Sequence, residues 1–493
     1  MPEILQQIRP LTVRSLHRGM AAERTVQDAL MPSSQVRLIT NMHPVSIGQL
    51  IRIDGYTNVE TGGDGAVGDS FAILGLQYKE STTAANERFI TFNNQTASGL
   101  AESYYLNSSS VWTFKSLAFT ASLKVRTAVF LDYVFATNGT DNPKSWIGTT
   151  GGTWGSTNLT SAPVGEFIGV FRQQLYIVSK TTVNFSSIPT AGSISWTATD
   201  NFQVNPNDGS EITAFVVLNR ETLIFKDKFL YRYNGRALDV DPMIAYGTPT
   251  QECTTVLGGT CYFYDDYRRQ VLAYSGGYPV DISKPIASLL KSMATGSRAQ
   301  FLMRSGVDFI EFLPNATMSI DEVTYSIDGF RYYPSTQTWV GIDYQHTFTH
   351  QTVQKGGTVY AGASNGTVMK LDTGNNFAVG AGLTTQPINF GFETQWYTPT
   401  GDPRDLCRLI DLAFFVDNAS NIQSSYKVDS DSQWRSVQTT KRFYNEAQGL
   451  NADFHRVKFK FDGYSDAAPA IFDGFTAGIV EFGKTPDTTN QIM

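Results

Sequence analysis

The chain has 493 residues, of which 41% are hydrophobic, 13% are aromatic and 17% are charged, and 42 are glycines. Its length exceeds one ordinary domain, and few charges with many aromatics and glycines are typical of an all-β protein with extensive buried surface. The net charge of −7 argues against a nucleic-acid-binding surface as its main role, because such a surface needs a basic footprint. DNA passage is not excluded, since an acidic channel wall repels phosphates and does not trap them.

The first 60 residues are predicted to form an N-terminal arm and the first strands. We expect no signal peptide and no membrane-spanning segment, because the N-terminus lacks an apolar core and no run reaches about 18 apolar residues. A short helix is predicted over residues 19–30. Arg9, Arg14 and Arg18 lie on this arm. We interpret them as contacts with a neighbouring subunit, although a solvated surface is the ordinary role of such residues.

Residues 61–384 contain short apolar runs that alternate with Gly, Asn, Asp, Pro and Ser, which predicts antiparallel strands joined by tight turns. The apolar hairpins recur at roughly 40–50 residues, the spacing of propeller blades. The sequence therefore predicts an irregular β-propeller of six or seven blades. One helix is predicted over residues 282–293, with Ser283 as its N-cap and Pro285 in its first turn.

Residues 385–484 carry longer and more regular alternation, which predicts a β-sandwich after the propeller. Val457, Phe459 and Phe461 fall on one face of a strand, and the basic residues between them fall on the other. The last residues, 485–493, are predicted to be a flexible tail or a segment bound by a partner.

The histidines and acidic pairs offer candidate chemistry that the sequence does not favour. His346 and His350 have the i, i+4 spacing of metal ligands on a helix, but the residues between them favour a strand, which separates the two by about 13 Å. Paired carboxylates suit glycoside hydrolysis, yet calcium turns and hairpin tips explain them better. These pairs are Asp239 with Asp241, Asp265 with Asp266, and Asp429 with Asp431.

The three cysteines are Cys253, Cys261 and Cys407. We interpret them as reduced thiols packed as small apolar groups, while a pairing of Cys253 with Cys261 across a hairpin is the alternative. No catalytic residue, metal site or cofactor is predicted, and the chain is not expected to be an enzyme.

Two stretches resemble tail nozzle proteins, the packaged-DNA stabilising β-propeller proteins of short-tailed bacteriophages. The first is Val36-Arg-Leu-Ile-Thr-Asn-Met followed by Gly48-Gln-Leu-Ile-Arg-Ile-Asp-Gly-Tyr. The second is Phe167-Ile-Gly-Val-Phe-Arg-Gln-Gln-Leu-Tyr-Ile, continued by Leu223-Ile-Phe-Lys-Asp-Lys-Phe-Leu-Tyr. The likeness extends over residues 36–484.

This resemblance implies a structural role in the virion tail, after assembly in the host cytoplasm. Six copies would form a ring that extends the channel of portal and adaptor proteins and retains packaged DNA. Double-stranded DNA would pass transiently, and tail fibre or tail tip proteins would attach. A receptor-binding or glycan-binding phage propeller is the alternative, and a carbohydrate-cleaving propeller enzyme is a third class.

Overall fold

The fold is seen in a computed structural model of the chain. It describes residues 8–14, 16, 18, 20–21, 35–45, 48–59, 71–81, 83–95, 99–235, 238–293, 301–314, 318–320, 323–325, 327–344, 346–350, 353–379, 384–429, 431–440 and 445–484. The predicted tail at 485–493 lies outside these residues, as does nearly all of the predicted helix at 19–30.

In the described part of the chain, five short strands come before blade 1 in sequence. They are β1 (Ile8–Val13), β2 (Leu38–Thr40), β3 (Met42–Pro44), β4 (Leu50–Arg52) and β5 (Tyr56–Asn58).

The next strands form five separate antiparallel sheets in chain order. Blade 1 has β6 (Ile73–Lys79), β7 (Arg88–Gln95), β8 (Leu100–Leu106) and β9 (Trp112–Thr120), and blade 2 has β10 (Arg126–Phe130), β11 (Tyr133–Thr137) and β12 (Lys144–Trp146). Blade 3 has β13 (Phe167–Phe171), β14 (Gln174–Ser179), β15 (Thr182–Phe185) and β16 (Asn201–Gln203). Blade 4 has β17 (Ile212–Val217), β18 (Thr222–Lys226), β19 (Leu230–Tyr233) and β20 (Leu238–Ile244), and blade 5 has β21 (Thr254–Leu257), β22 (Thr260–Asp265), β23 (Gln270–Tyr274) and β24 (Val280–Asp281).

Two further blades complete the ring. Blade 6 has β25 (Leu302–Ser305), β26 (Ile310–Leu313), β29 (Gly329–Tyr333) and β30 (Thr338–Ile342), with a side hairpin of β27 (Met318–Ile320) and β28 (Val323–Tyr325). Blade 7 has β31 (Val353–Lys355), β32 (Thr358–Gly362) and β33 (Val368–Leu371), and its fourth strand is β5 from the N-terminal segment. The described residues thus form a propeller of seven blades, which confirms the predicted fold class.

Alternation along each strand explains why every blade is buried on both faces. In β22, Cys261 and Phe263 pack into a core shared with blade 4, whereas Tyr262 and Tyr264 pack into the core shared with blade 6. Because successive side chains of a strand point to opposite faces, one apolar run supplies two cores. A further core joins blade 1 to blade 7, so the ring is closed.

The predicted helix is shorter than the sequence indicates. A 3₁₀ turn at Lys284–Ile286 leads into α1 (Ala287–Ser292). Ser283 does not cap this turn through its side chain. Its hydroxyl donates to Asp281 Oδ1 at 2.7 Å and accepts the Val271 amide at 3.0 Å, so it fixes the outer part of blade 5 instead.

The C-terminal strands form a β-sandwich. They are β34 (Asn376–Val379), β35 (Thr384–Glu393), β36 (Asp405–Asp417), β37 (Asn421–Val428), β38 (Arg435–Thr440), β39 (Asn445–Phe454), β40 (Val457–Ser465) and β41 (Ile471–Lys484). One sheet has the order β3-β4-β41-β36-β39, with β1 also paired to β41, and the other has β2-β35-β40-β37-β38. The N-terminal strands therefore complete both sheets of the sandwich.

Aromatic side chains fill the space between these sheets. Phe392 and Phe461 of one sheet stack at 4.9 Å, and Phe472 of the other lies 4.7 Å from Phe392 and 5.0 Å from Phe461, centroid to centroid. Such pairs contribute roughly 0.5–1.5 kcal/mol each beyond their buried area. The predicted alternation in β40 is confirmed, since Val457, Phe459 and Phe461 are buried and the residues between them are partly exposed.

Blades 6 and 7 of the propeller and one sheet of the sandwich are parts of one continuous sheet. The order runs from blade 6 through β30-β2-β35-β34-β5 into blade 7. Asn41, which has a positive φ of 53°, stands at the junction: its side chain donates to the carbonyls of Asp343 at 3.1 Å and Asn389 at 2.8 Å. The outer edges of blades 6 and 7 are therefore paired with neighbouring strands, not left open.

Candidate functional site

The centre of the propeller holds a small polar cavity of about 180 Å³. Blades 1, 2, 3, 5 and 7 and their connections contribute to its wall through Gln77, Arg126, Phe167, Glu252 and Val353. At about 30 Å³ per water, this volume accommodates roughly six water molecules. A B-DNA duplex, whose major groove alone is about 12 Å wide, does not fit into such a space.

Arg126 links three parts of the ring across this cavity. Its guanidinium lies 3.2 Å from Glu166 Oε1 and 3.1 Å from Glu252 Oε1, and it stacks 4.7 Å from the centroid of Phe167. Arg126 belongs to blade 2, Glu166 immediately precedes blade 3, and Glu252 lies in the turn before blade 5. The planar guanidinium with its five donors suits such a multiple contact.

The charges around the cavity depend on one another. Burial alone would raise the pKa of Glu252, but Arg126 and Lys124 outweigh burial and lower it. Burial raises the pKa of Glu166, with Arg126 opposing, and burial lowers the pKa of Lys124, whose ammonium donates to the carbonyl of Thr349. The cluster is therefore a polar contact between blades, in which Arg126 and Lys124 favour the charged form of Glu252.

A second buried cluster of charged side chains crosses blade 6 and reaches the neighbouring blade 7. Arg304, Glu311 and Arg331 stand opposite one another on the adjacent strands β25, β26 and β29. Glu311 Oε1 lies 2.9 Å from Arg331 Nε, and Arg304 Nε binds Glu311 Oε2. Arg331 also reaches Asp372 Oδ1, just after blade 7's β33, at 3.2 Å. Two positive and two negative side chains are thus brought together, and we call this set the blade 6 cluster.

A tyrosine hydroxyl and an aromatic ring add further contacts to the blade 6 cluster. Tyr344 donates to Glu311 Oε1 at 2.6 Å, and the Arg304 guanidinium lies 4.1 Å from the centroid of Phe348. Burial would raise the pKa of Glu311, but Arg304 and Arg331 outweigh it and lower that pKa. Buried ion pairs of this kind add little net stability, yet removal of one partner is costly, so they favour a single strand register.

The interface arginines predicted from sequence lie on or after β1. β1 pairs along the chain's own β41, with Arg9 opposite Ile479 in the backbone register. Arg14 and Arg18 are exposed. Their contact with a neighbouring subunit stays a prediction.

The other candidate side chains are used in local structure. His346 Nε2 lies 2.8 Å from the Ala378 carbonyl, and burial lowers the pKa of this imidazole. Asp265 pairs with Arg268 at 3.0 Å, and Asp429 accepts the amides of His455 and Arg456. Among the described residues, no three potential ligands of the His, Cys, Asp and Glu types are grouped to hold a metal ion.

The three cysteines are free and buried, as the first interpretation predicted. Cys261 stands opposite Val256 in the hairpin register, not opposite Cys253. Burial raises the pKa of Cys253 to about 12, which keeps the thiol protonated. Both side chains are packing groups.

Sequence reasoning missed both charge clusters. A signal was present, since Glu311 interrupts the apolar run Phe309–Leu313 and Arg331 stands between Phe330 and Tyr332. A single charge inside a fully apolar strand indicates a buried and paired group, because such strands have no solvated face. Arg126 and Glu252 gave no comparable signal, since they lie in a strand end and a turn.

Comparisons with known proteins find likeness at the level of fold. No protein-family profile and no curated protein matches the chain. Among solved structures, it is similar to the WD40 β-propeller domain of Doa1 (11% identity, TM-score 0.38, 64% of this chain and 96% of that chain). It is also similar to YCF48 bound to D1 peptide (6%, 0.41, 64% and 97%) and to BamB from Moraxella catarrhalis (10%, 0.33, 67% and 95%).

The order of strands in its sheets defines the chain as an all-β protein with a propeller and a sandwich. Within the part of the chain that the structure describes, no helix is both long and apolar enough to span a bilayer.

Proposed function

We propose that the chain is a non-enzymatic structural subunit of a bacteriophage tail. Six copies form a ring that extends the DNA ejection channel below the portal and adaptor proteins and helps to retain packaged DNA. Tail fibre or tail tip proteins attach to this ring. The sequence resemblance of residues 36–484 to tail nozzle proteins is one support for this proposal.

The observation that carries the proposal is the way in which the N-terminal segment joins the two parts of the chain. β5 completes blade 7, β2 lies between blade 6 and the sandwich, and β1 and β4 complete the opposite sandwich sheet. The pairings of β2 with β30 and of β34 with β5 join the sandwich to the ring, so pulling the two parts from each other requires breaking both pairings. Such a subunit resists deformation, which is what a part that contains pressurised DNA needs.

The central cavity determines where DNA passes in this proposal. Because that cavity holds about six waters and is crossed by Arg126, the channel lies between copies and not through each propeller. The net charge of −7 suits such a wall, since it gives phosphates few binding partners.

Negative-stain imaging and light scattering of the purified chain test the proposal. We expect rings or short tubes, with a mass near six times the 54.4 kDa of one chain. Immunogold labelling of phage particles with antibody against this chain should place it in the tail. A strictly monomeric protein that stays monomeric with purified portal and adaptor proteins contradicts the proposal.

A further inference from the structure

An open cleft of about 340 Å³ lies on the outward face of the sandwich sheet formed by β2, β35, β40 and β37. The cleft exists because Gly391 occupies the middle of this face with no side chain. Gly391 stands opposite Thr40 on one side and Asp462 on the other, and a Cβ there would lie 2.7 Å from Asp462 Oδ1. The Asp462 carboxylate therefore lies over the glycine and forms part of the floor.

Polar side chains and the exposed ring of Tyr464 form the rim of the cleft. Register places Gln423 opposite Asp462, and places Asn389 and Asn421 on either side of Tyr464. Gln423 and Asn389 are exposed, and 36% of Tyr464 is exposed. Three amide side chains, a carboxylate and an accessible ring thus converge on one space.

The charges that line the cleft are balanced, which favours a neutral ligand. Lys460 Nζ lies 2.8 Å from Asp462 Oδ2, with side chains 34% and 49% exposed. At the far end, the Lys458 ammonium binds Glu393. Each carboxylate that lines the cleft is therefore matched by a lysine, and a ligand meets donors and acceptors without net charge.

We infer that this cleft binds a neutral, hydroxyl-rich ligand, a saccharide residue, by hydrogen bonds to Asp462, Gln423 and the two asparagines and by stacking on Tyr464. Amide side chains both donate to hydroxyls and accept from them, a carboxylate accepts from them, and an aromatic face covers the apolar face of a sugar ring. The Gln423 amide nitrogen donates to Ser436 Oγ at 2.8 Å, so the carbonyl oxygen of this side chain is the atom that would accept from a ligand hydroxyl. The inference does not rest on the proposed tail function.

Saturation-transfer NMR on the full chain tests the inference, with the methyl glycosides of glucose, galactose, mannose and N-acetylglucosamine as probes. We expect transfer to at least one of them. The variants Tyr464→Ala and Gln423→Ala should weaken its binding about tenfold, as expected for loss of one good contact. Tyr278→Ala and Gln433→Ala are matched controls, because both residues are exposed and neither lines the cleft.

Urea unfolding midpoints equal to that of the unmodified chain show that each variant is folded. Absence of transfer to all four glycosides overturns the inference, as does equal transfer in the cleft variants and the controls. A third outcome is that the unmodified chain binds no glycoside and Tyr464→Ala changes the oligomeric state. This outcome would identify the face as a subunit contact and would also overturn the inference. Ring formation is measured in a separate experiment, so a failure of the saccharide inference can be distinguished from a failure of the tail proposal.

Discussion

Removal of the negative charge at the centre of the blade 6 cluster should be among the most damaging conservative changes in the chain. Glu311→Gln keeps the size of the side chain, but leaves Arg304 and Arg331 buried with Asp372 as the one remaining carboxylate of the cluster. Loss of one partner from a buried ionic group costs about 3–5 kcal/mol. The ring from Ile73 to Leu371 has an unfolding entropy of roughly 0.6 kcal/mol/K, so its melting temperature should fall by about 5–8 °C.

A double-mutant cycle separates this charge effect from general disruption. Arg304→Met combined with Glu311→Gln removes one charge of each sign and leaves Arg331 paired with Asp372. The double variant should therefore be less destabilised than the sum of the two single variants by about 1–3 kcal/mol. Urea unfolding followed by tryptophan fluorescence measures all four free energies. Additive losses would refute the reasoning, because they would mean that the charges do not depend on one another.

An exposed ion pair provides the control for the cycle. Asp453 and Arg408 are 46% and 39% exposed, and Asp453→Asn should change the free energy of unfolding by about 1 kcal/mol or less. A loss as large as that of Glu311→Gln would show that burial does not set the magnitude.

Three further predictions concern the ring centre, an acid response and assembly. Arg126→Met should cost about 3 kcal/mol at neutral pH by leaving Glu252 buried without its guanidinium. Because Arg126 and Lys124 outweigh burial and lower the pKa of Glu252, this cost should shrink only as pH falls below the ordinary glutamate pKa of about 4.3, and urea unfolding of both proteins at several acidic pH values measures it. Burial, aided by Arg331, lowers the pKa of His43 to about 4. Because the unfolded chain binds this proton near pH 6.5 and the folded chain does not, the free energy of unfolding should fall as pH drops from about 6.5 towards 4. His43→Gln should flatten this slope in urea titrations. Arg14→Ala with Arg18→Ala should shift the light-scattering mass towards monomer if the arm contacts a neighbour; an unchanged oligomer rejects that role.

The strand pattern was predictable because tight turns leave a strong local signal. Repeated apolar hairpins with Gly and Asn at their tips specify a meander, and a series of meanders specifies a propeller. What the sequence could not supply is the pairing between its distant ends. β5 pairs with β33, more than 300 residues later, through backbone atoms whose bonding leaves no mark on the side chains. The division at residues 60 and 384 stays a prediction for the same reason.

The sites were harder to predict than the fold. The Arg126 contacts depend on three chain segments that meet at the ring axis, so residue spacing carries no trace of them. The sandwich cleft depends on a missing side chain at Gly391, which in a strand sequence looks the same as any other glycine. Glu311 differs, because an acidic residue between apolar neighbours in a strand buried on both faces is itself evidence of a partner.

The N-terminal segment also explains how the protein protects its open sheet edges. A propeller that carries a second domain on its rim exposes the outer strands of the supporting blades, and exposed edges invite pairing with other chains. Here β2 pairs with β30 at Thr40 and Gly341, and β34 pairs with β5 at Phe377 and Tyr56, so the outer strands of these two blades are joined to the sandwich. Gly55 permits the second of these contacts, since a Cβ there would lie 1.9 Å from the Asn376 carbonyl oxygen. Gly55→Val should therefore open this junction, expose the edge of blade 7 and raise protease cleavage near Asn376 before the ring itself unfolds. Cleavage that appears only at the global unfolding transition would show that the junction and the ring are a single cooperative unit.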